Sequence, residues 1–505
     1  MKLEELLRNV DYDYVAGSLD KIVEGVEFDS RKVTVNSLFV AVIGFKSDGH
    51  SYIEKAIEQG ASVIVVDAQR KVYGKSELEK ISADKDVTFI EAKDNRIALA
   101  QCSSSFYGLP QNKLDIFGVT GTKGKTTTTF MLYEIFKACE DKSGLIGTVC
   151  NIVDGMQEKA IHTTPESKDL YELLGRFVSS SSRRIAMEVS SQGLKLNRTY
   201  GLKYKIACFT NLYEDHIAPE EHPDMEDYLR CKLKIFDTAD IAVVNGDSNE
   251  AARVLAYAGD SCKSVITYGF SNEYDCYATD VRPEQRDGTV GTCFNVVSPW
   301  YKGEIFIPIP GDFNVYNALC ALCVAGVENI SFDIVKTALE GVFVPGRLQS
   351  VKNNQGFSCV VDYAHNAASL ESVLKALRGY TEHEIITVFG CGGQRAIQRR
   401  FEMGEVSGKY SDLTVITSDN PRGENPSDII ENIITGIEKT DGKYIVIPDR
   451  KEAISYAVQR AKKGDMILIA GKGHEDYQIF ADRTIHFDDF ETATEIIGAL
   501  SEEKK

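Results

Sequence analysis

The stretch KLDIFGVTGTKGKTTTTFMLYEIFKACE, residues 113–140, constrains the fold more than any other part of the chain. A branched, apolar run reads as a strand, a glycine-rich turn follows, and a long helical pattern comes after it. The glycines let successive backbone N–H groups curl around phosphate oxygens, and the helix N-terminus adds partial positive charge. Val119 stands where the strict phosphate-loop pattern has its first glycine. Gly121, Thr122, Lys123, Gly124, Lys125, Thr126 and Thr127 still supply the parts needed to hold a nucleotide's phosphates. Lys125 has the reach for terminal phosphates, and Thr126 offers a hydroxyl to Mg²⁺.

The same alternation extends in both directions. SLFVAV (37–42) and ASVIVVD (61–67) are expected strands around a helical HSYIEKAIEQG. RRIAMEV, YKIACFTNL and ADIAVVNGD are further strands, separated by helices, as in a mostly parallel sheet covered on both faces. VFVPGRLQS (342–350) reads as a linker. Beyond it, FSCVVDYAHN, EIITVFGCGGQ, DLTVITSDNP, KYIVIPD and DMILIAGKGHED each end in a polar or glycine-rich turn. That pattern predicts an open sheet whose ligand groups gather at the carboxyl ends of its strands. The expected fold class is α/β, in three domains: a small N-terminal α/β unit (1–95), a central P-loop ATPase-like domain with a mostly parallel sheet (96–345), and a C-terminal Rossmann-like domain (346–505). A chain of 505 residues has room for all three.

Composition narrows the function classes. A net charge of −18 argues against nucleic acid or an acidic membrane as a partner. The opening MKLEELLRNVDYDYV lacks the apolar core of a signal peptide, and no apolar run is long enough to span a bilayer. The 12 cysteines form no disulfide framework, and the C-x-x-C at Cys320 and Cys323 lies in a helical apolar run that reads as core. A cytoplasmic monomer acting on small molecules is expected.

Seven segments then occur in order: GTKGKTTT, HTTPE (162–166), MEVSSQGL (187–194), FTNLYEDH (209–216), GDFNVYNALCA (311–321), PGRLQ (345–349) and VVDYAHN (360–366). Together they resemble the Mur ligase family, the ATP-dependent amide-forming enzymes of peptidoglycan synthesis. DSRKV, SLFVAVIGFKSDGHSYIEKAIEQGAS, DNPRGENP and AGKGHEDYQ resemble the members that add the third residue of the peptide. The resemblance covers nearly the whole chain. It implies a UDP-MurNAc-L-Ala-D-Glu substrate in the first domain, ATP and Mg²⁺ in the second, and meso-2,6-diaminopimelate in the third. It implies a metal set of Thr126, Glu188, His216 and Lys232, with Lys232 modified by CO₂ to a carbamate (N6-carboxylysine). Lys125, Glu188, His216 and Lys232 are the implied catalytic group. Asn314, Asn317, Arg347 and Asp362 fall where the family contacts ATP. Ser30, Arg31, His50, Thr163, Thr164, Ser190 and Arg198 fall where it contacts the UDP-linked substrate.

TVITSDNPRGENPSDI (414–429) bears on the third substrate. Pro421 fixes its own φ, and Gly423 is expected to permit an unusual turn, so that Arg422 is held rather than free. A guanidinium takes a carboxylate in two hydrogen bonds. Diaminopimelate differs from lysine by one carboxylate, so a rigid arginine favours diaminopimelate. Arg395, Asp419, Asn420, Gly471 and Glu475 are the expected helpers. The chain departs from the family at DHIAPEEHPD, at Leu196, at CGGQRA (391–396) and at YAHNAA, which bears on the choice of amino acid. Alternatives are the same reaction with L-lysine or another amino acid, a relative acting on another substrate, a non-catalytic nucleotide-binding regulator, or a P-loop motor. A regulator would need no metal set, and a motor would not explain the N-terminal unit.

Overall fold

Asp115–Thr120 and Lys125–Ala138 form the strand and helix that the opening stretch demands, joined by the turn 121–124. Ile116, Phe117 and Val119 are fully buried, because this strand lies inside a sheet with helices on its faces. The computed structural model describes residues 1–44, 47–70, 73–139, 142–215, 217–218 and 221–503. They divide into two units, residues 1–268 and 269–505.

The first unit opens with a five-stranded sheet, ordered Tyr12–Ala16, Thr88–Ala92, Ala61–Asp67, Ser37–Val40, Gly25–Glu27. All its pairs are parallel except that of Tyr12–Ala16 with Thr88–Ala92. The helix expected over HSYIEKAIEQG is split: a 3₁₀ turn, Gly49–Tyr52, precedes a short helix, Ile53–Glu58. Asp48 causes the split, because its carboxylate accepts from the His50 backbone and draws the chain into a tight turn.

A second sheet in this unit surrounds the glycine turn. Parallel strands Ser264–Gly269, Ala239–Asn245, Tyr204–Phe209, Asp115–Thr120, Arg184–Glu188 and Ser143–Ile146 lie in that order. Cys150–Val153 and Met156–Lys159 add an antiparallel edge. The glycine turn therefore leaves the carboxyl end of an interior strand, flanked by Glu188 on one neighbour and residues 210–213 after the other.

The second unit begins with an antiparallel ribbon, Cys276–Arg286, Thr289–Val297 and Lys302–Ile307, followed by the buried helix Asp312–Val327. Cys320 and Cys323 are fully buried on that helix, as the apolar run around them requires. A six-stranded sheet follows, ordered Gln349–Ser350, Ser358–Asp362, Met466–Ala470, Ile385–Phe389, Leu413–Ile416, Tyr444–Val446. Only its first strand is antiparallel. The fold is thus α/β with mostly parallel sheets, as the alternation predicts. None of the described helices is long and apolar enough to cross a membrane.

Candidate active site

At the glycine turn, Gly121 has a φ of +144°, and a Cβ there would lie 1.9 Å from Thr210 Oγ1. Only glycine lets the loop press this closely on the neighbouring strand end. The loop is pinned there: Thr122 N and Lys123 N donate to the backbone and side-chain oxygens of Asn211, both at 2.9 Å. Thr210 Oγ1 donates to Lys123 O at 2.7 Å. FTNL carries both residues, yet their loop-holding role is invisible without the strand order.

Two lysines converge on one carbonyl. Lys125 Nζ donates to Gly121 O and Thr122 O at 2.8 and 3.0 Å, and Lys232 Nζ donates to Gly121 O at 2.8 Å. Lys232 is 1% exposed and lies 4.4 Å from the Tyr228 ring centre. Burial pushes its pKa well below the ordinary lysine value, and the Lys125 charge pushes the same way. Lys232 lies on the buried face of the helix Met225–Leu233, whereas Lys234, just past its end, is exposed.

On the other side of the loop, Thr126 Oγ1 donates to Glu188 Oε2 at 3.1 Å. Glu188 is fully buried and also accepts from Thr148 N and Thr148 Oγ1, at 2.8 and 3.0 Å. A row of hydroxyls continues outward. Thr163 Oγ1 lies 2.9 Å from Thr148 Oγ1; Thr164 Oγ1 bridges Glu188 O and Ser190 N at 3.0 and 2.9 Å. Arg198 Nη1 donates to Thr164 O at 3.1 Å. The structure therefore brings Thr126, Glu188, Thr163, Thr164, Ser190 and Arg198 into one connected cluster. Thr148 gave no signal in the sequence. His216 lies outside the described residues.

Hydroxyl and carboxylate oxygens are the donors that Mg²⁺ prefers, so Thr126 and Glu188 suit it. An ammonium does not, and Lys232 fits a metal set only after conversion to an anion. Its depressed pKa favours the uncharged amine, the form that adds CO₂.

Nearby, His222 is fully buried between Asp227 (Nδ1 to Oδ2, 2.8 Å) and Ser191 (Nε2 to Oγ, 2.9 Å). Its ring packs 5.0 Å from that of Tyr228. Burial lowers its pKa, while Lys195 foremost holds the Asp227 carboxyl well below the usual range. Cys231 completes a trio with metal-ligand chemistry, but Asp227 is already held by Lys195 and Arg230. The trio braces the helix that carries Lys232.

The remaining UDP-side residues are engaged locally. Ser30 is buried, and Arg31 pairs with Asp29 at 2.7 Å. His50 uses both nitrogens: Nδ1 faces Asp48 at 2.7 Å, and Nε2 accepts from Asp67 N at 3.1 Å. Its body can line a pocket, but neither ring nitrogen is spare.

In the second unit, the carboxyl ends of the six-stranded sheet enclose a cavity of about 280 Å³. Arg395, Asp419, Asn420, Arg422, Gly471 and Glu475 all line it. The structure thus brings together in one cavity the six residues expected to act with one another. The turn itself differs from expectation. The left-handed residue is Arg422, at φ +53°, and Gly423 has no positive φ. Two hydrogen bonds hold Arg422 in that strained backbone: its N to Ile479 O at 3.0 Å, and its Nη1 to Gly393 O at 2.8 Å. Asn420 Nδ2 donates to Glu475 Oε2 at 2.8 Å, and burial raises the Glu475 pKa. Beneath them lies a fully buried pair that sequence reasoning missed. Arg450 meets both oxygens of Asp489 at 2.7 Å and donates to Ser418 O and Ala470 O. It ties together the ends of two strands that wall the cavity.

Arg347 stacks 4.9 Å over the Tyr363 ring, and Asp362 accepts from Leu348 N and Ala364 N, both at 2.8 Å. Asn314 and Asn317 are buried; Asn314 Nδ2 donates to Pro310 O, and Asn317 Nδ2 to Asn314 Oδ1.

Comparison with known proteins fits these two centres. Residues 22–107 match the family model described as Mur ligase family, catalytic domain; residues 119–325 match the Mur ligase middle domain; residues 346–473 match the Mur ligase, glutamate ligase domain. A UDP-N-acetylmuramoyl-L-alanyl-D-glutamate–2,6-diaminopimelate ligase of Clostridium tetani is 41% identical over 503 residues, 99% of this chain and 100% of that one. The chain belongs to the Mur ligase family. A ligase of the same name from Clostridioides difficile is 40% identical over 99% of this Mur ligase and 100% of its own length. A solved structure of a ligase with that name superposes with a TM-score of 0.70, at 27% identity and 99% coverage of both chains.

Proposed function

We propose that this Mur ligase joins meso-2,6-diaminopimelate to UDP-MurNAc-L-Ala-D-Glu at the expense of ATP, through an acyl phosphate. The carrying observation is the cavity at the sheet's carboxyl ends, whose lining includes Arg395 and Arg422 together with Asp419 and Glu475. Guanidiniums and carboxylates on one cavity match an acceptor with two carboxylates and two ammonium groups. Lysine would leave Arg422 without its anion. The names of the relatives support the same reading.

In this reading the γ-phosphoryl group passes from ATP to a glutamyl carboxylate, releasing ADP. The acceptor amine then attacks the acyl carbon, phosphate leaves, and the amine loses a proton as the amide forms. Lys125 turns from the Gly121 and Thr122 carbonyls to the phosphates. Thr126, Glu188, His216 and Lys232 would hold Mg²⁺, which offsets the mutual repulsion of phosphate and carboxylate when bound. Lys232 acts as a carbamate: its neutral amine adds CO₂ and releases a proton. Thr163, Thr164, Ser190 and Arg198 bind the muramoyl peptide, and Ser30, Arg31 and His50 line the UDP site. Asn314 and Asn317 contact adenine, while Arg347 and Asp362 meet the ribose and phosphates. We place the domain boundaries at 95 and 345, and the enzyme in the cytoplasm as a monomer.

The test is phosphate release from ATP with UDP-MurNAc-L-Ala-D-Glu and a panel of amino acids. Release that requires meso-diaminopimelate is expected. Release independent of any acceptor would overturn the ligase reading, and release with lysine but not diaminopimelate would overturn the choice of acceptor.

A further inference from the structure

Glu166 is shared by two guanidiniums. Arg198 Nη2 lies 2.7 Å from its Oε1, and Arg96 Nη1 lies 3.3 Å from its Oε2. Arg96 comes from the helix Asn95–Phe106 that follows the N-terminal sheet, and its Nη2 also donates to Ile43 O at 2.8 Å. The three side chains are only 10–17% exposed, and together they carry one surplus positive charge. The two guanidiniums oppose one another: burial first, and the Arg198 charge among the later causes, lower the Arg96 pKa. A pin between two elements needs one ion pair, and burying a second cation beside it is costly. Arg198 Nε is moreover buried without a hydrogen-bond partner. This donor belongs to the side chain that touches Thr164, which in turn touches Glu188.

We propose that Arg96 is a positioning residue for the acid substrate: through Glu166 it fixes the Arg198 guanidinium, and the surplus charge of the trio holds a substrate carboxylate that stays ionised throughout the reaction. The proposal rests on the ligase reading. A terminal glutamyl residue brings two carboxylates. One is phosphorylated and becomes the amide. The other keeps its charge from binding to product release, so its partner must be a standing cation rather than a group recruited with ATP. Arg198 supplies the contact, and Arg96 balances Glu166 so that the contact remains cationic.

Steady-state kinetics on the full chain test this with Arg96→Gln, Arg96→Lys, Glu166→Gln and the Arg96→Gln/Glu166→Gln double variant. Arg96→Gln should raise KM for UDP-MurNAc-L-Ala-D-Glu about tenfold, with kcat and the other two KM values within about twofold. Arg96→Lys should recover part of the loss. The double variant should be no worse than the more impaired single variant, because the two residues act in series. An unchanged KM in Arg96→Gln, additive losses, or an equal rise in all three KM values with a lower Tm would overturn the proposal. Where Arg96→Gln fails to fold, Arg96→Lys carries the same KM-against-kcat test. A wild-type enzyme without acceptor-dependent phosphate release removes the ligase reading and this proposal together. An active wild type with an unaffected variant removes this proposal alone.

Discussion

The glycine turn and the arginine cavity hold their cationic side chains in opposite ways. At the turn, Lys125 and Lys232 donate to the loop's own carbonyls, so the cations are satisfied by the backbone they serve. In the cavity, Arg422 is braced by Gly393 O from one side, and the walls are tied from below by Arg450 and Asp489. Lysine is a flexible point charge that can let go of a carbonyl and swing to a phosphate. Arginine is a rigid fork that works best when already aimed. In the proposed reading, the first centre rearranges on binding and the second discriminates.

The largest expected effect breaks the turn. Lys232→Ala should lower kcat by about 10³-fold, with partial rescue by added acetate or propionate, a carboxylate standing in for the lost carbamate. Rescue by methylamine instead would show that the lysine works as a cation, and would make the two centres alike. Next, Arg422→Ala should reduce kcat/KM for diaminopimelate about 10²-fold while leaving KM for ATP near wild type. Arg422→Lys should recover little, because one ammonium cannot reproduce the fork. Equal losses for both substrates would mean that the cavity is not a selective site.

A smaller effect is expected from the backbone beside Arg347. Gly346 has a φ of +65°, and a Cβ there would lie 2.4 Å from backbone atoms of Gly473 and His474. Gly346→Ala should cost about 1–3 kcal/mol of stability, read from denaturant melts. The mildest test uses pH. His474 is held at a pKa of about 4, first by burial and then by the Arg347 charge. The unfolded chain therefore takes up this proton at higher pH than the native one. Stability should fall as pH drops from about 6.5 toward 4, and His474→Asn should flatten that slope in Tm.

The sequence made the turn and the cavity legible to different depths. Strand–turn–helix alternation and the polar ends of DLTVITSDNP and DMILIAGKGHED sufficed to foresee which turns share one cavity, because parallel sheets place all such ends on one edge. The family was legible from ordered motifs, and its match along the whole chain agrees. What stayed hidden depends on tertiary pairing. Thr148, Asn211 and the Arg450–Asp489 pair act through partners 39 to 88 positions away, and no local pattern marks them. The strained residue of the DNPR turn was misplaced onto Gly423 because glycine is the cheaper occupant of left-handed backbone. A backbone hydrogen bond to Ile479 O and a side-chain hydrogen bond to Gly393 O offset that preference.

That balance has an evolutionary consequence. Replacing Arg422 with glycine would relieve the left-handed backbone but forfeit the hydrogen bond to Gly393 O, so stability should change little while the guanidinium proposed to read the acceptor is lost. A screen for thermal resilience alone would thus be blind to the loss of this guanidinium. A constraint that keeps arginine here would act through the proposed choice of acceptor, since folding is nearly indifferent to the change.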